Sequence, residues 1–208
     1  MKKAKSKTIY WFILDNLSSN CVKPAGQIRW ERELNLPDDD TFKHIYQVPF
    51  MCCRYTKLQT FQYKLLHRII SCNYWLYKMD LHPTGQCSFC DQKDSILHFF
   101  YYCPKTALFW KMFFNWWNTL GSFIIESYNE PDIIFGYHGN QRNTLVLNYV
   151  LLIAKYHIYK QKINSIEPFL PQMLIELKNQ LYLDECISIK KIALETFHED
   201  FDFIYLFL

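Results

Sequence analysis

Hydrophobic residues recur at helical spacing along much of this chain, and the first clear stretch covers residues 56–71. Its apolar positions share one side of a helix: Leu58, Phe61, Leu65 and Ile69. On a neighbouring stripe, Lys57, Lys64 and Arg68 lie within roughly 40° of one another at about 100° per residue. The pattern therefore predicts a helix with a buried face and a positive edge beside it.

A second helix is predicted over residues 104–120, because proline suits the first helical position and glycine the residue just past the end. Pro104 and Gly121 occupy those places. The apolar residues of this segment form a wide stripe: Leu108, Phe109, Met112, Phe113, Trp116, Trp117 and Leu120. Trp110 lies outside the densest part of the stripe, so it would either pack in the core or reach solvent or a nucleobase.

The rest of the chain also reads as helix. Residues 143–162 are apolar nearly all round as far as Tyr156, which predicts a helix buried between others. Prolines precede a helix expected over about 171–181, and Asp184 is expected to cap a last one that ends near residue 198. Residues 133–135 form an apolar piece that would dock as an extended segment or turn. We therefore predict a mainly α-helical fold with few or no strands.

Changes in composition divide the chain into four segments: an N-terminal segment (1–29), a basic helix plus metal-binding module (30–120), a linker rich in Gly, Asn, Ser and Pro (121–142), and a C-terminal helical segment (143–208). Half of the chain is hydrophobic and 18% is aromatic, which excludes an intrinsically disordered protein. The longest apolar stretch, interrupted by Asn148 and Lys155, is too short for a membrane span, so no membrane partner is expected.

One run of residues has the types and spacing of a metal site: Cys87, Cys90, His98 and Cys103, or C-x2-C-x7-H-x4-C. Three thiolates and one imidazole within seventeen residues suit a tetrahedral Zn²⁺. The two first cysteines would chelate from a tight turn, and Asp94 or Ser95 would cap the helical turn that carries His98. The sequence therefore predicts one structural zinc ion.

Three alternatives to this site follow from the same residues. The run could be ordinary hydrophobic core, because free cysteine is often buried. His82 could replace one ligand, since it lies close to Cys87. The third alternative, disulfide bonding, is disfavoured because no signal peptide is recognisable at the N-terminus. Eight cysteines without secretion favour a reducing compartment, so we expect an intracellular protein of the nucleus or cytoplasm.

Charge is distributed unevenly, and residues 41–79 contain no Asp or Glu. Aromatic rings alternate there with cations, among them Lys57, Lys64, Arg68 and Lys78. Cations that neutralise phosphates and rings that stack on bases together favour nucleic-acid binding without strong sequence preference. The alternative is a basic helix face that is merely solvated.

Catalytic motifs are not apparent. The sequence has no Gly-rich phosphate loop, no G-x-S-x-G and no H-E-x-x-H. Three consecutive acids, Asp38, Asp39 and Asp40, are interpreted as a solvated loop that caps a helix starting near Thr41, since adjacent carboxylates cannot converge on one metal pair. We therefore expect a protein that is not an enzyme. An open catalytic zinc beside Asp91 or Asp94 is the enzymatic alternative.

Residues 57–70, Asn73, residues 76–79, the metal run and Phe109-Trp110 together resemble the zinc-binding C-terminal region of reverse transcriptases from LINE-type (non-LTR) retrotransposons. Residues 134–136 and 147–160 are similar to the helical segment that follows it, so the resemblance covers about residues 30–197. The family's aspartate-pair polymerase signature and endonuclease are missing. The chain thus looks like a detached, non-catalytic fragment.

The resemblance implies a module that binds RNA or DNA, and that has the remainder of a retrotransposon polyprotein as a possible partner. Its metal ligands carry over to the four residues of the metal run. The residues expected to contact nucleic acid are Lys57, Gln62, Lys64, His67, Arg68 and Lys78. The alternative function is a zinc-stapled protein-interaction domain, which exposed rings of Trp110, Trp116 and Trp117 would favour.

Overall fold

The computed structural model describes residues 23–36, 39–121, 123–139, 141–190 and residue 204. The chain divides into two compact units, residues 1–36 and 37–208. The first contains helix α1 (Ala25–Leu34). The second contains α2 (Asp39–Cys52), α3 (Thr56–Leu66), α4 (Asn73–Lys78), a π-helical turn (His98–Tyr102), α5 (Pro104–Thr119), α6 (Glu130–Phe135), α7 (Arg142–Ile163) and α8 (Leu170–Lys190).

The prediction of a mainly helical protein is confirmed. Extended residues pair at one isolated antiparallel bridge within the described ranges, between Gln86 and Lys93, and no strand forms there. None of the described helices combines the length and apolarity that a membrane crossing requires. The predicted division into four segments stays a prediction.

Helix α7 is the centre of the second unit. All residues from 146 to 155 are buried, including Asn148 and Lys155, because α2, α3, α8 and the π-helical turn all pack against this helix. The apolar pattern that continues around the whole helix predicted this burial correctly. A central helix of this kind leaves the flanking helices to carry the solvent-facing polar residues.

Helix α3 is shorter than predicted, ending at Leu66 rather than residue 71. Arg68 adopts a left-handed conformation with φ of 58°, and Ile69 N donates to Lys64 O at 2.9 Å. These are the features of a Schellman motif, which closes a helix with a hydrogen bond from the second residue beyond the cap. Arg68 therefore leaves the stripe of Lys57 and Lys64, and Ile69 is 62% exposed rather than buried.

Helix α5 begins at Pro104 and ends at Thr119, with Gly121 at φ of 71° just beyond it, as predicted. Its buried face differs from the predicted stripe, because Leu108 and Met112 are exposed. Trp110 and Phe114 are buried in their place. The helix is aromatic on most sides, so periodicity alone could not select its inner face.

Two other elements correct the predictions. Residues 133–135 lie in helix α6 rather than in an extended segment, because Asn129 and Asp132 form a reciprocal capping box that starts a helical turn. Helix α8 continues through Asp184, where a new helix was expected. The Asp184 carboxylate accepts hydrogen bonds from Tyr149 and Gln180 instead of capping. The predicted end near residue 198 and Asp38 lie outside the described residues.

Candidate metal centre

The four donors predicted from the sequence lie together. The ligand atoms of Cys87, Cys90, His98 and Cys103 are all within 4.8 Å of one another. Cys87 Sγ lies 3.7 Å from Cys103 Sγ, and Cys90 Sγ lies 3.2 Å from His98 Nε2. Three of the four residues are buried and Cys90 is half-buried. The cluster is thus a compact, largely enclosed set of three sulfur atoms and one nitrogen atom.

These distances fit a tetrahedral metal ion better than a disulfide. Metal–sulfur bonds of about 2.3 Å at the tetrahedral angle place two sulfurs about 3.8 Å apart. A disulfide would bring the sulfurs to about 2.05 Å. All the described cysteines are free. The arrangement can therefore hold one metal ion.

A tight turn presents the first two ligands, as predicted. Cys87 N donates to Gln92 O at 2.7 Å and Asp91 N donates to Cys87 O at 3.3 Å, so the chain folds back on itself between these residues. Asp91 supports the turn with a φ of 56°. Aspartate tolerates this left-handed conformation better than most residues with a Cβ. This turn, residues 87–92, is called the knuckle, and it directs the thiols of Cys87 and Cys90 towards the other two donors.

A π-helical turn brings the last two ligands to the same side. Cys103 N donates to His98 O at 2.9 Å, a hydrogen bond between residues five apart. In an α-helix residues five apart point roughly 140° away from each other. The wider π turn reduces that angle, so the His98 imidazole and the Cys103 thiol can both face the knuckle. Helical periodicity in the sequence gives no signal of this π turn.

Ser95 caps the turn that carries His98, as predicted, because Ser95 Oγ accepts a hydrogen bond from His98 N at 3.1 Å. Asp94, the other predicted cap, serves a different element. Its Oδ2 accepts a hydrogen bond from Asn73 N at the start of α4, at 2.9 Å. The side-chain Nδ2 of Asn73 in turn donates to Gln86 O at 2.9 Å. These two bonds attach α4 to the knuckle.

Side chains from α5 and α7 satisfy the carbonyl groups of the π turn. Thr106 Oγ1 donates to Phe99 O at 3.1 Å, and Trp110 Nε1 donates to Phe100 O at 2.7 Å. Lys162 Nζ also donates to Phe99 O, at 3.3 Å. Buried carbonyl groups need such donors, because an unpaired one costs roughly 1–3 kcal/mol. The metal run is therefore fastened to both flanking helices by hydrogen bonds as well as by apolar contacts.

The thiols of the cluster differ in proton affinity. The Cys87 thiol hydrogen-bonds to the Cys103 sulfur, which lowers the pKa of Cys103 and raises the pKa of Cys87. The charge of Lys162 lowers the pKa of both groups. Metal ligands must be deprotonated, so one thiolate that is already favoured and a nearby ammonium both assist metal binding.

The remaining histidine and cysteine candidates lie elsewhere. His82 Nδ1 lies 2.6 Å from Thr84 O, and His82 is not part of the four-donor cluster, so it is not a substitute ligand there. Burial raises the pKa of Cys53 and of Cys72 to about 11 and that of Cys52 to about 12. These three residues therefore stay protonated thiols at neutral pH.

The residues predicted to contact nucleic acid fall into two groups. Lys57, Lys64 and Lys78 are exposed. Gln62 is 2% exposed, and its Nε2 donates to Ile134 O at 2.8 Å, which holds α6 against α3. His67 is half-buried between the rings of Tyr46 and Tyr63. Arg68 is half-buried beyond the end of α3.

The structure also shows a feature that the sequence did not associate with α3. The C-terminal part of α7 lies alongside it, so that Tyr156 and Tyr159 line a cleft of about 440 Å³ together with Lys57 and Lys64. Both tyrosines belong to a helix end that also carries Lys155, Lys160 and Lys162. Their proximity to the α3 lysines depends on the packing of two segments that are 92 to 102 residues apart in the chain.

The three tryptophans of α5, residues 110, 116 and 117, do not form the exposed patch that would favour a protein-docking function. Trp110 and Trp117 are fully buried, and Trp116 is half-buried.

Comparisons with family models, with curated proteins and with solved structures find no match to this chain.

Proposed function

We propose that this chain is a zinc-stapled helical module that binds RNA or DNA. The observation that carries the nucleic-acid part is the placement of Lys57 and Lys64. Both are exposed on α3, seven residues apart, in a stretch of chain without carboxylates. Residues seven apart on an α-helix differ by only about 20° in direction. Two ammonium groups on one face can therefore follow a phosphate backbone.

Zinc is the metal proposed for the cluster, because three thiolates and one imidazole match its preferred ligands. Its role is structural. Four protein ligands complete a tetrahedral coordination sphere and leave no position for a reactive water. By fixing the knuckle to the π turn, the ion would hold in place the two helices that are attached to them, α4 and α5.

The proposed contact set is narrower than the sequence suggested. Lys57 and Lys64 are retained, and Lys78 is retained as a flanking cation whose Nζ lies 5.9 Å from the Tyr74 ring centroid. Gln62 is left out because it is buried and bonded to Ile134. A role for the module within a LINE-type retrotransposon polyprotein remains part of the proposal, and its support is the resemblance of the sequence.

Fluorescence anisotropy with a labelled 20-nucleotide RNA tests the nucleic-acid function. The zinc-loaded full chain is titrated at 50 and 200 mM salt, and binding should weaken steeply between the two. The K57A/K64A variant should bind more weakly, and the slope of log K against log salt should become less negative by about 1.4, at about 0.7 for each single-strand phosphate contact.

A charge-matched control variant is K111A/K178A, which removes two exposed lysines from α5 and α8. It has the same net charge as K57A/K64A and should retain binding close to that of the unmodified chain. Absence of binding at 50 mM salt would overturn the proposed function. An equal loss in both double variants would show attraction by net charge alone and would also contradict it.

A further inference from the structure

The cleft between α3 and α7 has the size and lining of a ligand site. Its volume of about 440 Å³ falls within the roughly 300–1,000 Å³ of small-molecule pockets. It is lined by Thr56, Lys57, Thr60, Phe61, Lys64, Ile70, Tyr156 and Tyr159. This set combines ammonium groups, hydroxyls and aromatic rings, and it contains no carboxylate. Such a lining suits a ligand that has both an anionic part and a flat part.

One side of the cleft is a polar stripe of α3. Lys57, Thr60 and Lys64 are spaced by three and four residues, so they share one face over about two turns. The Cα atoms of the two lysines are separated along the axis by roughly 10 Å, at about 1.5 Å per residue. In the described part of the chain, neither lysine pairs with a carboxylate. Both can therefore take phosphate oxygens of a ligand.

The opposite side of the cleft is aromatic, and it includes the half-buried ring of Tyr156. Phe61 contacts Tyr156 at a centroid distance of 5.3 Å and 70°, so this neighbour meets it edge to face. Lys57 Nζ and Lys160 Nζ lie 5.4 and 5.3 Å from the Tyr156 centroid. Lys160 Nζ is also paired with Glu176 Oε2 at 2.8 Å, so the Lys57 ammonium is the one that can move to a phosphate. The half-buried Tyr156 ring can accept a base when it does so.

Tyr159 is held more firmly and completes the wall. Its hydroxyl lies 3.3 Å from Ser71 Oγ, and its ring contacts Phe61 and Phe99 at centroid distances of 5.3 and 6.1 Å. Phe99 belongs to the π turn that presents His98. The wall of the cleft is thus supported by the same turn that supplies two metal ligands.

We propose that this cleft binds an unpaired nucleotide of single-stranded RNA or DNA, with the base on Tyr156 and the flanking phosphates on Lys57 and Lys64. The inference rests on the proposed function and specifies its ligand. Bases in a duplex are paired and stacked inside the helix, so they cannot enter a cleft of this kind without being extruded. A single strand presents each base freely to an aromatic ring.

The test compares three labelled 15-mers with the zinc-loaded full chain: a single-stranded RNA, the single-stranded DNA of the same sequence, and the DNA duplex. We expect both single strands to bind at least about tenfold more tightly than the duplex at equal salt. Y156L should weaken single-strand binding by about tenfold, the scale of losing one base–aromatic stack. Y156F keeps the ring and should bind like the unmodified chain.

Salt dependence separates stacking from electrostatic attraction. Y156L should leave the slope of log K against log salt unchanged, whereas K57A and K64A should each make it less negative by about 0.7. The control Y182L removes an exposed tyrosine on α8 and should have no effect on binding. Unaltered circular dichroism and metal content of Y156L would establish that its fold is intact.

The outcomes distinguish this inference from the proposed function. Equal affinity for single strands and duplex, together with unchanged binding by a folded Y156L, would overturn the inference and leave nucleic-acid binding standing. Failure of all three oligonucleotides to bind at low salt would overturn both. If Y156L and Y156F are impaired equally, the hydroxyl rather than the ring is responsible, and the stacking role is wrong.

Discussion

Lys162 Nζ lies 3.6 Å from Asp94 Oδ1, and the two side chains are only 3% and 2% exposed. This buried ion pair joins the last turn of α7 to the segment between the knuckle and the π turn. The Lys162 ammonium also lies over the Phe99 ring, with Nζ 4.4 Å from the ring centroid. A zinc ion with three thiolates carries one net negative charge, so the lysine also balances the proposed metal site.

Breaking this pair from one side should be costly. We expect K162M to lower the free energy of unfolding by about 3 kcal/mol, because it leaves the buried Asp94 carboxylate without its cation. D94N retains an acceptor for Asn73 N and should cost about 2 kcal/mol. The double variant K162M/D94N should be less destabilised than the sum of the two, which urea unfolding in saturating zinc would measure.

The exposed pair of Lys105 and Glu167 is the control for this double-mutant cycle. Lys105 Nζ lies 2.8 Å from Glu167 Oε1, but the two side chains are 42% and 59% exposed. K105M should therefore change stability by less than about 1 kcal/mol. Strict additivity of K162M and D94N would show that the buried groups do not interact energetically.

Removal of the metal should unfold the region around the π turn. We expect native mass spectrometry to find one zinc ion per chain, and a chelator to lower the melting temperature together with part of the helical circular dichroism signal. H98Q and C90S should each lose the metal. Co²⁺ in place of zinc should give the absorption of a tetrahedral thiolate site.

Cys72 provides the matched control for the ligand cysteines. It is buried and free, and it is not part of the four-donor cluster. C72S should therefore keep the metal stoichiometry even if it loses some stability. A chain that folds equally well without metal, or a C90S variant with full zinc content, would contradict the proposed site.

Lys155 makes stability depend on pH. Burial lowers the pKa of this lysine to about 7. In the unfolded chain the pKa returns to about 10.4. Above pH 7 the unfolded state therefore binds more protons than the folded state, and Lys155 contributes stability that rises with pH, by up to about 1.4 kcal/mol per unit.

The K155M variant isolates this contribution. Its side chain cannot be protonated, and Ile134 O keeps the hydrogen bond from Gln62 Nε2. We expect K155M to be more stable than the unmodified chain at pH 6.5, by about 2–4 kcal/mol, with the difference shrinking towards pH 8.5. Urea unfolding at three pH values in saturating metal measures the difference. Parallel pH profiles for the two proteins would refute the assignment.

Gly136 should resist substitution. Its φ is 89°, and an added Cβ would lie 2.5 Å from Asn148 Oδ1. Asn148 cannot move freely, because it bonds both Tyr137 N at 2.7 Å and Tyr137 O at 2.9 Å. We expect G136A to cost about 3 kcal/mol by combining backbone strain with a clash.

Gly121 is the control for the backbone part of that cost. It has a φ of 71°, and a Cβ there would meet no atom within 4 Å. G121A should therefore cost only about 1 kcal/mol, the penalty of a left-handed conformation for alanine. Similar melting temperatures for G121A and G136A would show that Asn148 gives way at little cost.

The sequence alone was sufficient for those features that depend on local spacing. It located the four metal donors, the start of α5 at Pro104 and the central buried helix α7. Ligand spacing and helix-end residues act over a few positions, and uniform hydrophobicity predicts burial irrespective of the partner. The alternative interpretation of the metal run as hydrophobic core is correct in one respect, because two of its three cysteines are buried and the third is half-buried.

Features that depend on packing needed the tertiary structure. Gln62 is polar, yet it is buried because Ile134 O, 72 residues away, needs a donor. Trp110 replaces Leu108 in the core because its indole N–H can reach Phe100 O. The burial of Gln62 depends on a hydrogen-bond partner far away in the chain, and that of Trp110 on a partner in an irregular turn. Hydrophobic periodicity carries no information about such partners.

The cleft between α3 and α7 likewise combines features that the sequence determined with features that only packing decided. The sequence by itself determined that α3 would be basic and that the end of α7 would be basic and aromatic. Only the tertiary structure decided that Tyr156 lies opposite Lys57 and that Arg68 turns away. The physical reason is that helix faces are set by local periodicity, whereas the choice of neighbouring helix is set by which apolar surfaces bury each other best.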